Sequence, residues 1–218
     1  MVWVLVMAAL AGAGGGAEAV RRLARRRQRA DDDATEMSGV RAMADEDTTL
    51  LGEQLTRIGV DHPAEQMDEA TRVDYQSALD AYEAAKRAVP RLSSPPEVSQ
   101  VVDILSTGRY ALACVHARLE GRPVPERRVP CFFNPQHGPS LKDVRWTDAR
   151  WGTRVVPACA QDAARVAKGE APEIRRVGRY QVPYWESGDA FLPYGRNYYS
   201  ASMLQISYQR TVDTSGGG

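Results

Sequence analysis

The spacing of apolar residues along this chain changes abruptly at several points, and each change marks a boundary. From Met1 to Ala17 no residue is charged, and Val2 to Leu10 is apolar on every side, as suits a helix surrounded by lipid. Such a run spans roughly 26 Å at ~1.5 Å per residue, a little less than a ~30 Å hydrocarbon core. Gly12, Gly14, Gly15 and Gly16 dilute it further. Residues 1–20 therefore predict a transmembrane anchor. A cleaved secretory signal is the competing reading, since Ala17-Glu18-Ala19 has the small-x-small form of a cleavage site. A signal carries its positive charge ahead of the apolar run, whereas Arg21, Arg22, Arg25, Arg26, Arg27 and Arg29 follow it. That order predicts a single pass through the cell membrane, with the N-terminus outside and the bulk of the chain cytoplasmic.

Beyond residue 30 the period disappears. Residues 21–47 read as a linker, first basic and then acidic, with Asp31 to Asp47 expected as an extended spacer. Helical spacing begins at residue 48. Leu50, Leu51, Leu55, Ile58 and Val60 predict a short helix ending near Gly59 and His62-Pro63, with His62 in an exposed turn. Met67, Ala70, Val73, Ala78, Leu79, Tyr82, Ala85 and Val89 form one stripe on a long amphipathic helix. Pro90 and Ser93-Ser94-Pro95-Pro96 end it and start another, which carries Val98, Val101, Val102, Leu105, Leu112, Val115 and Leu119 as far as Gly121. Two helices joined by so short a turn predict an antiparallel hairpin, so residues 48–122 form a helical arm.

From residue 123 to about 200 the elements shorten. Asp143 to Trp146 and Thr153 to Val156 alternate as strands around Gly152, an Ala-rich helix is expected at 160–168, and Val177 to Glu186 alternates again. The fold class expected is α+β: an N-terminal transmembrane helix, the hairpin arm, and a small C-terminal domain of short antiparallel strands. Phe191, Tyr194, Tyr198 and Tyr199 are expected to cover the small sheet, the alternative being a stacking platform for bases. Residues 201–218 predict a disordered tail.

Composition narrows the classes. The chain has 218 residues, 28 Lys+Arg against 28 Asp+Glu, and a formal net charge of zero, which argues against a dedicated nucleic-acid binder. The zero conceals +5, −10 and +5 over residues 1–30, 31–90 and 91–218. Three cysteines exclude a disulfide-stapled secreted scaffold.

Chemistry concentrates in two short segments. Cys131-Phe132-Phe133-Asn134-Pro135-Gln136-His137 places a thiol and an imidazole six positions apart across a turn, and Cys159-Ala160-Gln161-Asp162 places a thiol and a carboxylate three apart at a helix start. Cys131, His137, Cys159 and Asp162 make a four-donor set for zinc, with the second pair spaced as in ribbon and treble-clef sites. A carboxylate is an unusual fourth ligand for a structural site, so a degenerate, metal-free knuckle is preferred over a loaded one. No residue reads as an orienting third group or oxyanion pocket for a Cys131–His137 thiol catalyst. Cys114 and His116, two apart on a helix, point to different faces and are read as structural.

Ala78-Leu79-Asp80-Ala81-Tyr82-Glu83-Ala84-Ala85-Lys86, Gly108-Arg109-Tyr110-Ala111-Leu112-Ala113-Cys114 and Arg118-Leu119-Glu120-Gly121-Arg122-Pro123 resemble an uncharacterised group of actinobacterial membrane-anchored proteins. So do Cys131 to Pro139 and Val182-Pro183-Tyr184-Trp185-Glu186. The resemblance covers about residues 48–200 and implies an anchor and this architecture, without an activity. The function expected is that of a cytoplasmic-facing membrane adaptor or scaffold that binds another protein and no nucleic acid. A metal- or thiol-dependent enzyme using the four donors is the alternative.

Overall fold

The structure, a computed structural model, describes residues 2–150 and 152–195, with side chains from residue 18 onward. Its first element is a single helix, α1, Val2–Asp61. The stretch 31–47, expected as an extended spacer, is thus helical, and so is the basic segment before it. Residues 18–35 are exposed, but from Val40 onward one face is buried: Val40, Met43, Ala44, Asp47, Thr48, Leu51, Leu55 and Ile58 recur at three- and four-residue steps. The short helix expected from residue 48 is the last part of α1, which passes through Gly59 and ends at Asp61. His62 is exposed, as expected.

Among the described residues no helix is long and apolar enough to cross a membrane. The uncharged run on which the anchor expectation rests continues α1, and its side chains lie outside the described ones. The expected tail at 201–218 also lies outside the described residues.

Helix α2, Glu69–Ala88, starts at Asp68, whose carboxylate accepts from the Thr71 N–H at 2.6 Å. Helix α3, Pro95–Leu119, starts with two prolines behind Ser94, and the Glu97 carboxylate reaches back to the N–H groups of Ser93 and Ser94. It ends as the sequence predicts. Gly121 takes φ +64°, and Arg122 N–H reaches Ala117 O at 2.7 Å, the six-to-one bond of a Schellman stop. Arg118 pairs with Asp74 at 2.8 Å while Gly108 abuts Ala81, so α2 and α3 are antiparallel. The buried part of α1 closes a three-helix core, with Tyr75 donating to Leu55 O at 3.2 Å. Gly108 sits at a close approach of the three helices: a Cβ there would lie 2.9 Å from both Ala81 Cβ and a Leu51 methyl.

The C-terminal part opens with an isolated bridge between Pro130 and Pro139 that closes the loop containing Cys131 and His137. Strands β1, Lys142–Asp148, and β2, Gly152–Ala158, pair antiparallel with Val144 opposite Val156, and Gly152 turns at φ +71°. Helix α4, Ala160–Ala167, follows. The strand expected over Val177–Glu186 is instead a two-residue hairpin, β3 Arg176–Val177 with β4 Val182–Pro183. Gly178 and Gln181 adopt positive φ and reverse the chain, and Tyr184–Glu186 then coils as a 3-10 turn. The short helix α5, Leu192–Gly195, ends the described chain.

Two apolar clusters result. One is the three-helix core, which also takes Val177, Tyr184, Phe191 and Tyr194. The other is Cys131, Phe132, Phe133, Val144, Val156, Ala158, Cys159 and Ala163, with Trp146 packed against it. Phe191 and Tyr194, expected on the small sheet, are buried in the helical core instead, which also removes them from any base-stacking surface. Phe191 reaches that core because Gly39 leaves α1 bare: a Cβ there would meet the ring at 3.2 Å. Tyr198 and Tyr199 lie outside the described residues. Trp185 belongs to both clusters, stacked on Phe132 at 4.6 Å and crossing Tyr184 at 5.0 Å.

Replacing Gly108 by Val inserts atoms where backbone and Ala81 cannot withdraw. Chemical denaturation of the variant should show a loss of ~1–3 kcal/mol, despite the better helix propensity of the new residue. A midpoint equal to that of the parent would contradict the close three-helix contact.

Candidate metal centre

The loop 131–138 is built by its prolines and by Asn134. Cys131 N–H donates to Gly138 O at 2.9 Å, the Asn134 side chain accepts from Gln136 N–H at 3.0 Å, and Gly138 supplies φ +78° to leave the turn. Cys159 ends the β-hairpin as the N-cap of α4, its sulfur accepting from the Asp162 N–H at 3.4 Å. Asp162, one turn into the helix, faces back into the loop. The hairpin therefore folds the second donor pair onto the first.

All four sequence-predicted residues meet. One donor atom from each of Cys131, His137, Cys159 and Asp162 lies within 4.8 Å of every other. Asp162 Oδ2 is 3.0 Å from His137 Nδ1, 3.3 Å from Cys131 Sγ and 3.5 Å from Cys159 Sγ, and Cys159 Sγ is 3.5 Å from His137 Nδ1. Cys131 and Asp162 are fully buried. Tetrahedral zinc, with bonds of ~2.3 Å to sulfur and ~2.0–2.2 Å to nitrogen or oxygen, separates its ligand atoms by roughly 3.3–3.8 Å. The observed spacings approach that tetrahedron.

The groups behind the donors are arranged to match. Asp162 Oδ1, turned away from the cluster, accepts from the Glu173 N–H at 2.8 Å. His137 Nε2 faces Glu173 Oε1 at 3.5 Å and the Asn134 amide at 3.3 Å. A ligating imidazole needs such an outer partner to fix its orientation. Sequence reading did not single out Asn134 or Glu173 as outer partners. Asn134 lies inside the motif, whereas nothing in the spacing of Glu173 marks it.

Without a metal the cluster divides its charge unevenly. The hydrogen bond from Cys131 holds the Cys159 thiol down to about 5 against the opposing effect of burial, helped by His137. Cys131, donating that bond and buried, is pushed well above the ordinary thiol range. Burial works against charge on His137, but the hydrogen bond and charge of Cys159 and the neighbouring Asp162 carboxylate outweigh it and raise the imidazole to about 9. The thiol that faces the imidazole is thus Cys159, where the sequence pointed to Cys131.

Cys159 and Asp162 both converge on His137 Nδ1, while Nε2 faces Glu173 and Asn134. Cys114 is buried in α3 apart from the cluster, with its thiol raised by burial, and His116 is exposed, consistent with the structural reading of both. A groove of about 720 Å³ between α1 and α2, lined by Gly52, Tyr75, Tyr82 and Lys86 among others, takes no wall from the four donors.

No protein-family model matches this chain, and neither a curated protein nor a solved structure matches it.

The uneven thiols have a direct consequence. In chelator-treated protein at pH 6.5, a small alkylating reagent followed by peptide mass spectrometry should modify Cys159 well before Cys131 and Cys114. Equal or reversed rates would contradict the thiolate assignment.

Proposed function

We propose that the protein is a non-catalytic binding scaffold whose C-terminal module is held together by one structural zinc ion. The observation that carries this reading is the convergence of two sulfurs, Nδ1 and Oδ2 on a single point, with the second face of the imidazole and of the carboxylate turned outward to other partners. Four protein donors fill a tetrahedron, whereas a catalytic zinc keeps one position for water or substrate. The order of loop, hairpin and helix N-terminus is the one by which treble-clef units present two ligand pairs.

A metal-free knuckle, the preference from sequence alone, asks for something harder. It buries a carboxylate against a thiolate with only a half-buried imidazolium to compensate, and buried charge is tolerated only when closely paired. Zinc exchanges for about two protons, so the net charge of the centre is unchanged, but it sets a cation within bonding distance of all four donors. The aromatic side chains of Phe132, Phe133 and Trp146 then pack around a closely paired centre.

The scaffold reading extends to the rest of the chain. Sixty helical residues make α1 about 90 Å long at ~1.5 Å per residue, so the three-helix core sits at the end of a stalk. The arginines of residues 21–29 are exposed on that stalk and attract an anionic lipid surface by ~1 kcal/mol each. In this reading they keep the scaffold beside a membrane, and the helical arm and module present a docking face to a protein partner.

Full-length protein purified without added metal should contain one zinc per chain, and a strong chelator should lower its melting temperature together with its near-ultraviolet aromatic signal. Zinc binding at pH 7 must displace the proton of His137 and that of Cys131, while Cys159 is already a thiolate. Calorimetry in buffers of different ionisation enthalpy should therefore report about two protons released, with affinity falling about a hundredfold per pH unit on acidification. A chain that melts identically with and without chelator would reject the zinc reading in favour of the metal-free knuckle.

A further inference from the structure

The three-helix core and the C-terminal module meet across a second buried polar cluster that the zinc reading leaves unused. Asp47 on α1 and Arg109 on α3 are both almost completely buried, with Arg109 Nη2 donating to Asp47 O at 3.2 Å and lying 3.8 Å from its carboxylate. Arg175 of the module lies 3.6 Å from the same carboxylate and pairs with Glu46 at 2.7 Å. Burial pushes the Asp47 carboxyl up, and Arg109, Arg175 and the Gln136 amide hold it down.

Gln136 is the residue that connects this cluster to the donors. Its side-chain amide donates to Asp47 Oδ1 at 2.5 Å, its carbonyl accepts from Arg109 Nη1 at 2.7 Å, and its N–H is held by Asn134. The next residue is the ligand His137. Both lie on the single 3-10 turn Pro135–His137, closed by bonds from His137 N–H to Asn134 O and from Gly138 N–H to Pro135 O. A turn this tight has no slack: moving the imidazole onto or off a metal moves Gln136 against the arm. Flanking bonds reinforce the coupling, since Arg175 N–H donates to Phe133 O at 2.8 Å and Tyr184 donates to Phe132 O at 3.0 Å.

We propose that Gln136 is a positioning residue through which occupancy of the metal centre controls how firmly the C-terminal module docks on the helical arm. With metal bound, the turn is fixed and Asp47 and Arg109 are satisfied across the interface. With metal removed, the turn loosens, the buried ion pair loses Gln136, and the arm face around Asp47, Leu105 and Arg109 opens. This rests on the zinc reading above and adds to it: the metal centre is then a switch for an interface, beyond a staple within one module. By linkage, what metal does for docking, docking does equally for metal affinity.

The test uses the full chain and zinc alone, titrated against a chromophoric chelator. Gln136→Ala keeps every ligand and leaves Asp47 paired with Arg109 and Arg175, and it should weaken zinc about tenfold, the scale on which outer partners of metal sites act. Tyr75→Phe, which removes a bond on the far side of the bundle, should bind zinc like the parent. Hydrogen exchange of the parent should rise on chelation not only in residues 129–175 but also in residues 43–51 and 105–112. Unchanged zinc affinity in Gln136→Ala, or an exchange increase confined to residues 129–175, overturns the coupling while leaving the zinc centre standing. A parent chain that binds no zinc overturns both.

Discussion

The burial of Asp162 is the constraint on which the C-terminal module depends. A fully buried carboxylate is stable only when donors or a cation meet it, and this one has the Glu173 N–H behind it and the His137 imidazole in front, with the Cys131 and Cys159 sulfurs at 3.3 and 3.5 Å. Meeting that demand sets the path of the chain. The loop after Pro130 must close, the β-hairpin must return Cys159 to the loop, and α4 must begin where its first turn aims Asp162 inward. Phe132, Phe133 and Trp146 pack against one another in the same cluster as the two cysteines.

The interface between module and arm combines apolar packing with a buried polar set. An apolar stripe closing on an apolar sheet face is the simplest way for a hairpin arm to hold a small domain. The sheet instead spends its inner face on its own cluster, and the arm spends its stripe on the third helix, α1. They are joined by Val177, Tyr184, Phe191 and Tyr194, which the chain after the sheet buries in the helical core, by Trp185, which packs against both clusters, and by the buried polar set Asp47, Arg109, Arg175 and Gln136. Such polar junctions contribute less net stability than apolar ones and are far more sensitive to geometry, because a displaced partner leaves a buried charge alone. That sensitivity is what the coupling proposed for Gln136 draws on.

The long helix α1 gives the core its third wall and projects beyond it. Its packed half begins near Glu36, whose carboxylate accepts from the Ala190 N–H at 3.3 Å and so holds the end of the described chain against the stalk. Burial and the nearby Asp189 and Asp33 raise the Glu36 carboxyl, with the Ala190 N–H opposing them. Before it, residues 18–35 are exposed.

The sequence by itself determined the elements whose signals are local: the proline and capping-box start of α3, its Gly121 stop, the stripe of α2, the β1–β2 hairpin and α4. It also singled out Cys131, His137, Cys159 and Asp162, the four side chains that the fold brings together. The helical state of residues 31–47 was missed for a physical reason. Its buried face is made of Val40, Met43, Ala44, Asp47 and Thr48, a periodic stripe in which small, flexible or polar residues replace leucine and acidic neighbours mask the pattern. The hairpin at residues 176–183 was missed because alternation continues through Gly178 and Gln181, and only their backbone angles reveal the turn. Tertiary structure alone decided that Asp47, Arg109 and Gln136, separated by 62 and 27 positions, share one buried cluster. No local pattern encodes that meeting, since each residue lies on its own element and only the packing of those elements removes them together from water.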